Sequence, residues 1–477
     1  MSAFPSPSSV QSPPSIPVIS TASTAGRRQW NTPRTLKAYR LVVWILAALL
    51  LSQGESTLTL SRNAFKTIGK DTVPSIIAAE EIGYALADLD ANVANSLLGS
   101  AQHRAAASAV IEKQRLKVTD SLVDAAQNIT YGDDEKRPIR AMMRDLGLYL
   151  EHAAEARLRF EQFDKGGART SYWQATDLLH KNLLVEAQNL DAANKVQLEV
   201  AYRLGTEETE GAEFLACVIG LLLTGTLVAL QRTLFRKTRR IFNIPLVAAT
   251  ALAILLPLYL AGRFTNARHS LHTAKEDAFD SIHSLVRARA LAYDANGDES
   301  RYLLDPTDGR SLALSFRDKI AILSTSATAK PPTPSDLSTR KQATRSGIKP
   351  RDTGLLWDEL DNITFPGELT AATRMVSSFR DYVTIDARIR KLASAGKMDD
   401  AIELCIGDKP DESNAAFDRF DTALLATVDV NRAAFYHEME DTNRSLGTAE
   451  TVSIFLTLLI SGLTWLGLRP RLLEYTA

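Results

Sequence analysis

Three short stretches carry residue types and spacings that could do chemistry. In ALAYDANGDESRYLLD, residues 290–305, Asp294, Asn296 and Asp298 alternate, and Asp305 stands where the closing acid of a calcium loop would sit. Such a loop needs glycine at its sixth position for the sharp turn and glutamate at its twelfth. Counted from Asp294, Gly297 is fourth, Glu299 sixth and Asp305 twelfth, so the stretch reads as helix instead. On that helix Asp298 and Glu299 are expected on or near a solvated face, beside Arg301 or Arg287, in surface pairs worth little. Gly297 costs such a helix about 1 kcal/mol. His269 and His272 stand three apart, half of a helical metal site, but spacing marks no third ligand and the pair reads as interfacial, without metal. Gly69-Lys70 lacks the rest of a P-loop, because Ala64 and Asp71 stand where Gly and Ser or Thr are required. No GxSxG, HExxH or dinucleotide fingerprint occurs. No catalytic residue, metal site or cofactor is expected.

The elements that position these residues are set by four apolar runs, from Leu41 to Leu51, Phe214 to Leu230, Ile241 to Gly262 and Val452 to Leu468. A membrane span needs about 17–25 apolar residues; the last three qualify and the first is marginal. Ser52-Gln53-Gly54 leaves a cleaved signal peptide as the alternative for the first, but the long tail before it favours a retained anchor. Arg27, Arg28, Arg34, Lys37 and Arg40 precede the first run. Arg232, Arg236, Lys237, Arg239 and Arg240 fill the loop between the second and third, and Arg469 and Arg471 follow the fourth. Positive flanks face the cytoplasm, so both termini are expected inside and both large segments outside. The boundaries follow: a disordered Ser/Pro tail 1–35, spans 36–54, 213–231, 241–262 and 451–468, outer domains 55–212 and 263–450, a basic loop 232–240 and a cytoplasmic end 469–477. The formal net charge of −1 points to no nucleic-acid partner. Cys217 and Cys405 fall in a span and in an outer domain, so no intradomain disulfide is expected.

The two outer domains echo one another. Asp90-Ala91-Asn92 with Ser96 returns as Asp294-Ala295-Asn296 with Ser300, and Asn128-Ile129-Thr130-Tyr131 as Asn362-Ile363-Thr364-Phe365. Tyr149 and Arg157 find counterparts in Tyr382 and Arg390, with the Pro/Ser/Thr-rich stretch 325–350 read as an inserted loop. Asn128, Asn362 and Asn443 form glycosylation sequons, but the first two read as inherited turn residues. Ile82, Leu86, Leu89, Val93 and Leu97 make a helical seam, and Asn194 and Asn431 are polar interruptions on seams entering the second and fourth spans. Breakers such as Pro74, Gly132, Pro306 and Pro366-Gly367 divide each domain into about four helices. The fold class is all-α: four transmembrane helices with two tandem extracytoplasmic helical bundles produced by internal duplication.

Asp90-Ala91-Asn92 with Ser96-Leu97-Leu98, and Ala295-Asn296 with the run from Asp298 to Asp305, carry a resemblance. The chain resembles the four-helix-bundle sensory domains of bacterial chemoreceptors and histidine kinases. It is still more similar to a group of actinobacterial four-span membrane proteins with two such modules, over most of residues 36–470. The resemblance implies a relay from an extracytoplasmic amino-acid-binding lipoprotein to a cytoplasmic Ser/Thr kinase. The chain departs from ordinary sensors in that no kinase, methylation helix or HAMP-like segment follows any span.

The expected function is therefore non-enzymatic signal reception, with Asp90, Asn92, Asn194, Asp294, Asn296 and Asn431 as candidate ligand or partner contacts. The output is expected to pass to a separate cytoplasmic protein, with Arg232, Arg236, Lys237, Arg239 and Arg240 meeting that partner or anionic lipid. A homodimer is open. A transport subunit would place ionisable residues inside the spans, whose interiors here hold only Asn243, Tyr259 and scattered Ser and Thr, with no charge. An envelope scaffold is the third class.

Overall fold

Apolar runs bounded by arginines become helices far longer than a membrane requires. The computed structural model describes residues 32–238, 243–305, 308–328 and 330–473. Residues 1–31 of the expected tail, Arg239, Arg240 and Pro306 lie outside the described residues; the last four residues expected in that tail, 32–35, instead form the first turn of a helix. Helix α1 (Thr32–Lys66) passes through a π-turn (Thr67–Thr72) into α2 (Val73–Ser96). Then follow α3 (Ala101–Gln127), α4 (Asp133–Glu161), α5 (Lys165–Leu178), α6 (Leu184–Arg203) and α7 (Thr209–Thr238), with π-turns at Leu179–Leu183 and Leu204–Glu208. The second half holds α8 (Ile244–His272), a π-turn (Thr273–Phe279), α9 (Asp280–Leu304), α10 (Gly309–Leu323) and α11 (Pro334–Arg345). It ends with α12 (Leu355–Asp361), α13 (Glu368–Ser394), α14 (Met398–Ile406) and α15 (Ser413–Leu473). The described residues contain no strand.

Four continuous rods result, of 64, 72, 61 and 61 residues: Pro33–Ser96, Lys165–Arg236, Ile244–Leu304 and Ser413–Leu473. Each contains a stretch long and apolar enough to cross a membrane. At a rise of 1.5 Å per residue each rod is roughly 90 Å long or more, about three times the hydrocarbon thickness of a bilayer. The apolar portions of α1, α7, α8 and α15 close into a ring in which each packs on two neighbours. Gly220 of α7 lets α8 approach closely, since a Cβ there would lie 2.6 Å from Pro257. Leu221, Leu222, Leu255, Leu258, Phe455 and Leu458 point outward, as lipid-facing side chains must. The chain is a multi-pass membrane protein.

The remaining helices form two bundles, and local chemistry repeats between them. Glu135 accepts hydrogen bonds from the Thr130 and Tyr131 amides at 2.8 and 2.7 Å, and Glu368 does the same for Thr364 and Phe365 at 2.6 and 2.8 Å. Both copies also carry a π-turn just before their first bundle helix. Two local expectations are corrected. The insertion 325–350 is not all loop, because Thr333-Pro334-Ser335-Asp336 supplies a capping box with proline in the first turn and so starts α11. Pro74 does not break the chain's course: it directly follows the π-turn at Thr67–Thr72, and the helix runs on through both.

At the centre, α2 and α9 lie side by side and run in the same direction. Glu80 meets His283 nearest the spans, Tyr84 meets Tyr293 further out at 4.9 Å between ring centroids, and Asn95 meets Ser300 at the far end. Because α3 and α6 cover the other faces of α2, the seam residues Ile82, Leu86, Leu89, Val93 and Leu97 are all buried, and so are polar neighbours on every other face.

Candidate functional site: a buried ion cluster between the bundles

Asp90 and Asp294 occupy equivalent positions in the two copies, and both point into the interface between them. Helix α2 stops at Ser96, but α9 runs about one turn past the equivalent Ser300, to Leu304. That extension carries Arg301, whose guanidinium folds back along its own helix. Gly297 makes this possible: a Cβ there would lie 2.8 Å from Arg301 Nη2. The first copy has Val93 and Leu97 at these two places.

Arg301 is 1% exposed and donates in three directions. Nη2 reaches Asp90 across the interface at 2.7 Å, Nη1 reaches Asp298 at 2.5 Å and Asp294 at 3.2 Å, and Nε reaches the Tyr172 hydroxyl at 3.1 Å. Asp90 is completed by hydroxyls of the first bundle: Tyr149 at 3.0 Å, Tyr172 at 2.9 Å and Thr176 at 3.0 Å. Lys319 of α10 lies 2.7 Å from both Asp294 and Asp298. His180, from the π-turn of the first bundle, places Nε2 2.8 Å from Asp294 and Nδ1 2.7 Å from the Thr176 carbonyl. The two ring nitrogens thus face a carboxylate of the second bundle and a carbonyl of the first. Three carboxylates, Asp90, Asp294 and Asp298, thus gather around Arg301 and Lys319, with His180 against Asp294.

Electrostatics divides the interface into two regimes. Burial pushes Asp294 upward, but the His180 hydrogen bond and the charges of Lys319 and Arg301 outweigh it and hold the carboxyl well below its usual range. Burial also acts against the charge on Arg301, yet Tyr172, Asp90, Asp294 and Asp298 together keep it firmly protonated. Beyond the cluster the balance reverses. Burial, then the neighbouring Asp386, drives Glu299 well above the usual carboxylate range, where it accepts from Ser413 at 2.7 Å.

The expectation that Asp298 and Glu299 sit on a solvated face is therefore overturned: they are 2% and 1% exposed. They are covered because α9 is packed on several sides, by α2, α10, α14 and α15. Residues 290–304 are helical, so their acids are strung along a helix rather than wrapped around a common centre.

The remaining candidates lie elsewhere. Asn92 turns away to Asp88, donating to its carboxylate at 2.6 Å. Asn296 is buried beside the Tyr382 hydroxyl. Asn194 and Asn431 are fully buried on α6 and α15, nearer the spans; Asn194 donates to its own helix at Leu190, and Asn431 donates to Glu359 at 3.1 Å. Arg232 and Arg236 lie near the end of α7, and Lys237 belongs to the same helix. His272 pairs with Glu276 at 3.1 Å. The sequence gives no sign of Tyr172, Thr176, His180 or Lys319 at this site, and Arg301, expected in a surface pair with Asp298 or Glu299, is instead buried. One local signal points to Arg301: Asp294, Asp298 and Arg301 recur on one helical face with a glycine between them.

A cleft of about 430 Å³ opens beside the cluster between α2, α6 and α9, lined by Glu80, Asp191, Gln188, Arg287 and Asp294. Asp294 thus joins the cleft to the buried ions.

Comparison with protein families finds that residues 64–203 match the model of an actinobacterial sensor domain. The match runs from the end of α1 through α6, well under half of the chain, and includes Asp90, Tyr149, Tyr172, Thr176 and His180. Comparison with curated proteins and with solved structures returned no match. The first bundle is thus similar to an actinobacterial sensor domain, carried on a multi-pass membrane chain, and this supports a role in sensing a signal.

Proposed function

We propose that this protein receives a signal outside the cell and relays it, without catalysis, through a change in how its two bundles pack. The observation that carries the reading is the continuity of the rods. The α2 and α9 rods hold Asp90 and Arg301 at one end of an unbroken helix and apolar spans at the other. A shift at the interface therefore has no flexible joint in which to dissipate. A two-state element whose packings differ by a few kcal/mol is what a ligand or binding protein can bias. Three of the four rods carry a π-turn where span meets bundle, at Thr67–Thr72, Leu204–Glu208 and Thr273–Phe279. Such turns recur at functional positions in helices.

In this reading both bundles are extracytoplasmic. Arg232, Arg236 and the rest of the basic loop face the cytoplasm, where they anchor to anionic lipid or meet an output protein such as a kinase. An extracytoplasmic binding protein is a suitable input partner. Fusions of a reporter active only in the cytoplasm test the placement. They should be active within 232–238 and silent within 100–160 or 335–345, and activity at the outer positions would contradict the reading. A photoreactive residue replacing Arg236 should capture one discrete cytoplasmic protein in cells. Cross-links to lipid alone would remove the basic loop from the signalling route.

A further inference from the structure

Below the ion cluster, the same interface gathers donors of a different kind. Glu80 of α2, Asp191 of α6 and His283 of α9 place ligand-capable atoms within 4.8 Å of one another. His283 Nε2 lies 3.1 Å from Asp191 Oδ1 and 3.9 Å from Glu80 Oε1. Donors bound to one tetrahedral ion at about 2.0–2.2 Å stand roughly 3.3 Å apart, so only small side-chain movements separate this arrangement from a coordination sphere. We propose that Glu80, Asp191 and His283 form a divalent transition-metal site, of the kind zinc occupies, that ties the first bundle to the second.

Three observations converge on it. The donor set, one imidazole and two carboxylates, matches three-ligand sites that keep an open position for water. The open side exists, because Glu80 and Asp191 line the cleft between α2, α6 and α9. His283 is held in place by stacking on Phe279, with ring centroids 5.9 Å apart. The sequence expectation of no metal rested on local spacing, which cannot register three donors on three separate helices. The His269/His272 pair is not involved.

The proposal concerns binding and stands apart from the signalling reading. The test is zinc titration of the full chain in detergent after chelator treatment, with cobalt absorption as a second readout. One saturable equivalent is expected, with cobalt giving the intense visible bands of a low-coordinate site. Glu80→Gln and Asp191→Asn keep side-chain size and hydrogen bonding, and each should weaken zinc binding at least tenfold, as should His283→Gln. His272→Gln should leave it unchanged. No saturable binding by the parent protein at millimolar zinc, or binding unaltered in all three ligand variants, would overturn the site.

Discussion

At Asp90 in the first bundle and Asp294 in the second, one inherited residue meets two different neighbourhoods. Asp90 is fully buried and takes three hydroxyls and one guanidinium. Asp294 sits at the edge of a cleft and is held by His180, Lys319 and Arg301. A second inherited pair diverges similarly. Asn194 finds only the Leu190 carbonyl of its own helix, whereas Asn431 also reaches Glu359. The difference traces to one position beside the shared Asn-Ile-Thr motif: the first copy has Ala125 where the second has Glu359. The two copies share a frame, and Arg301 and Glu359, where the first copy has Leu97 and Ala125, make the second copy's half of the interface ionic. The first copy receives and the second grips.

The largest test of that asymmetry is Arg301. Replacing it by Leu recreates the first copy's Leu97 and leaves Asp90, Asp294 and Asp298 short of a buried cation. Breaking a buried ion pair from one side costs about 3–5 kcal/mol, so thermal melting of the full chain should fall by on the order of ten degrees. Leu97→Met, at the equivalent place, should cost about 1 kcal/mol or less. Equal losses at the two positions would refute the asymmetry.

Next is pH. Glu359 is raised to about 8 by burial and by Glu368, against an ordinary 4.5. The unfolded chain releases this proton near its ordinary value while the folded chain holds it to about 8. Stability therefore falls as pH rises across that window, by on the order of a few kcal/mol. Glu359→Gln should flatten the slope measured by melting between pH 5 and 8. It should not abolish it, since Glu80 and Asp88 are both pushed up to about 7, chiefly by burial. An unchanged slope in the variant would show that Glu359 is ionised in the fold.

Gly297→Val restores the first copy's Val93 and drives a side chain into Arg301, at a cost of about 1–3 kcal/mol. If the glycine serves only the guanidinium, the double variant with Arg301→Leu should lose less than the sum of the two, and strict additivity would contradict that role. The smallest contrast is at the seam asparagines. Asn194→Leu removes a buried amide whose oxygen has no partner and should stabilise by about 1 kcal/mol. Asn431→Leu strips Glu359 of a donor and should destabilise by a similar amount. Calorimetry of both variants would show whether the signs differ.

These contrasts also mark what could be read without coordinates. The four spans, the duplication and the seam from Ile82 to Leu97 were legible because apolar periodicity is a local property of the chain. Asp90 and Asp294 stood out because the repeat displayed them. Their partners did not, because His180, Lys319 and Tyr172 reach the site from other helices and no spacing rule connects them. Asp298 and Glu299 were misread for a related reason. An acid-rich helical face usually meets water, and only the packing of α9 against several neighbours removes that water. The capping box at Thr333–Asp336 was legible in principle, but the proline and serine around it suggested a loop.

The central claim is that the buried cluster and the spans are one mechanical unit. It is tested most directly by spin-label distances between the far ends of α7 and α15, with labels at Arg236→Cys and Arg471→Cys in a chain carrying Cys217→Ser and Cys405→Ser. Arg301→Met should release the interface while filling most of its volume. A coupled molecule will then show its distance distribution shifted by about 1–2 Å or more at the membrane's opposite face. Superimposable distributions, in a variant whose melting temperature has clearly moved, would contradict the account.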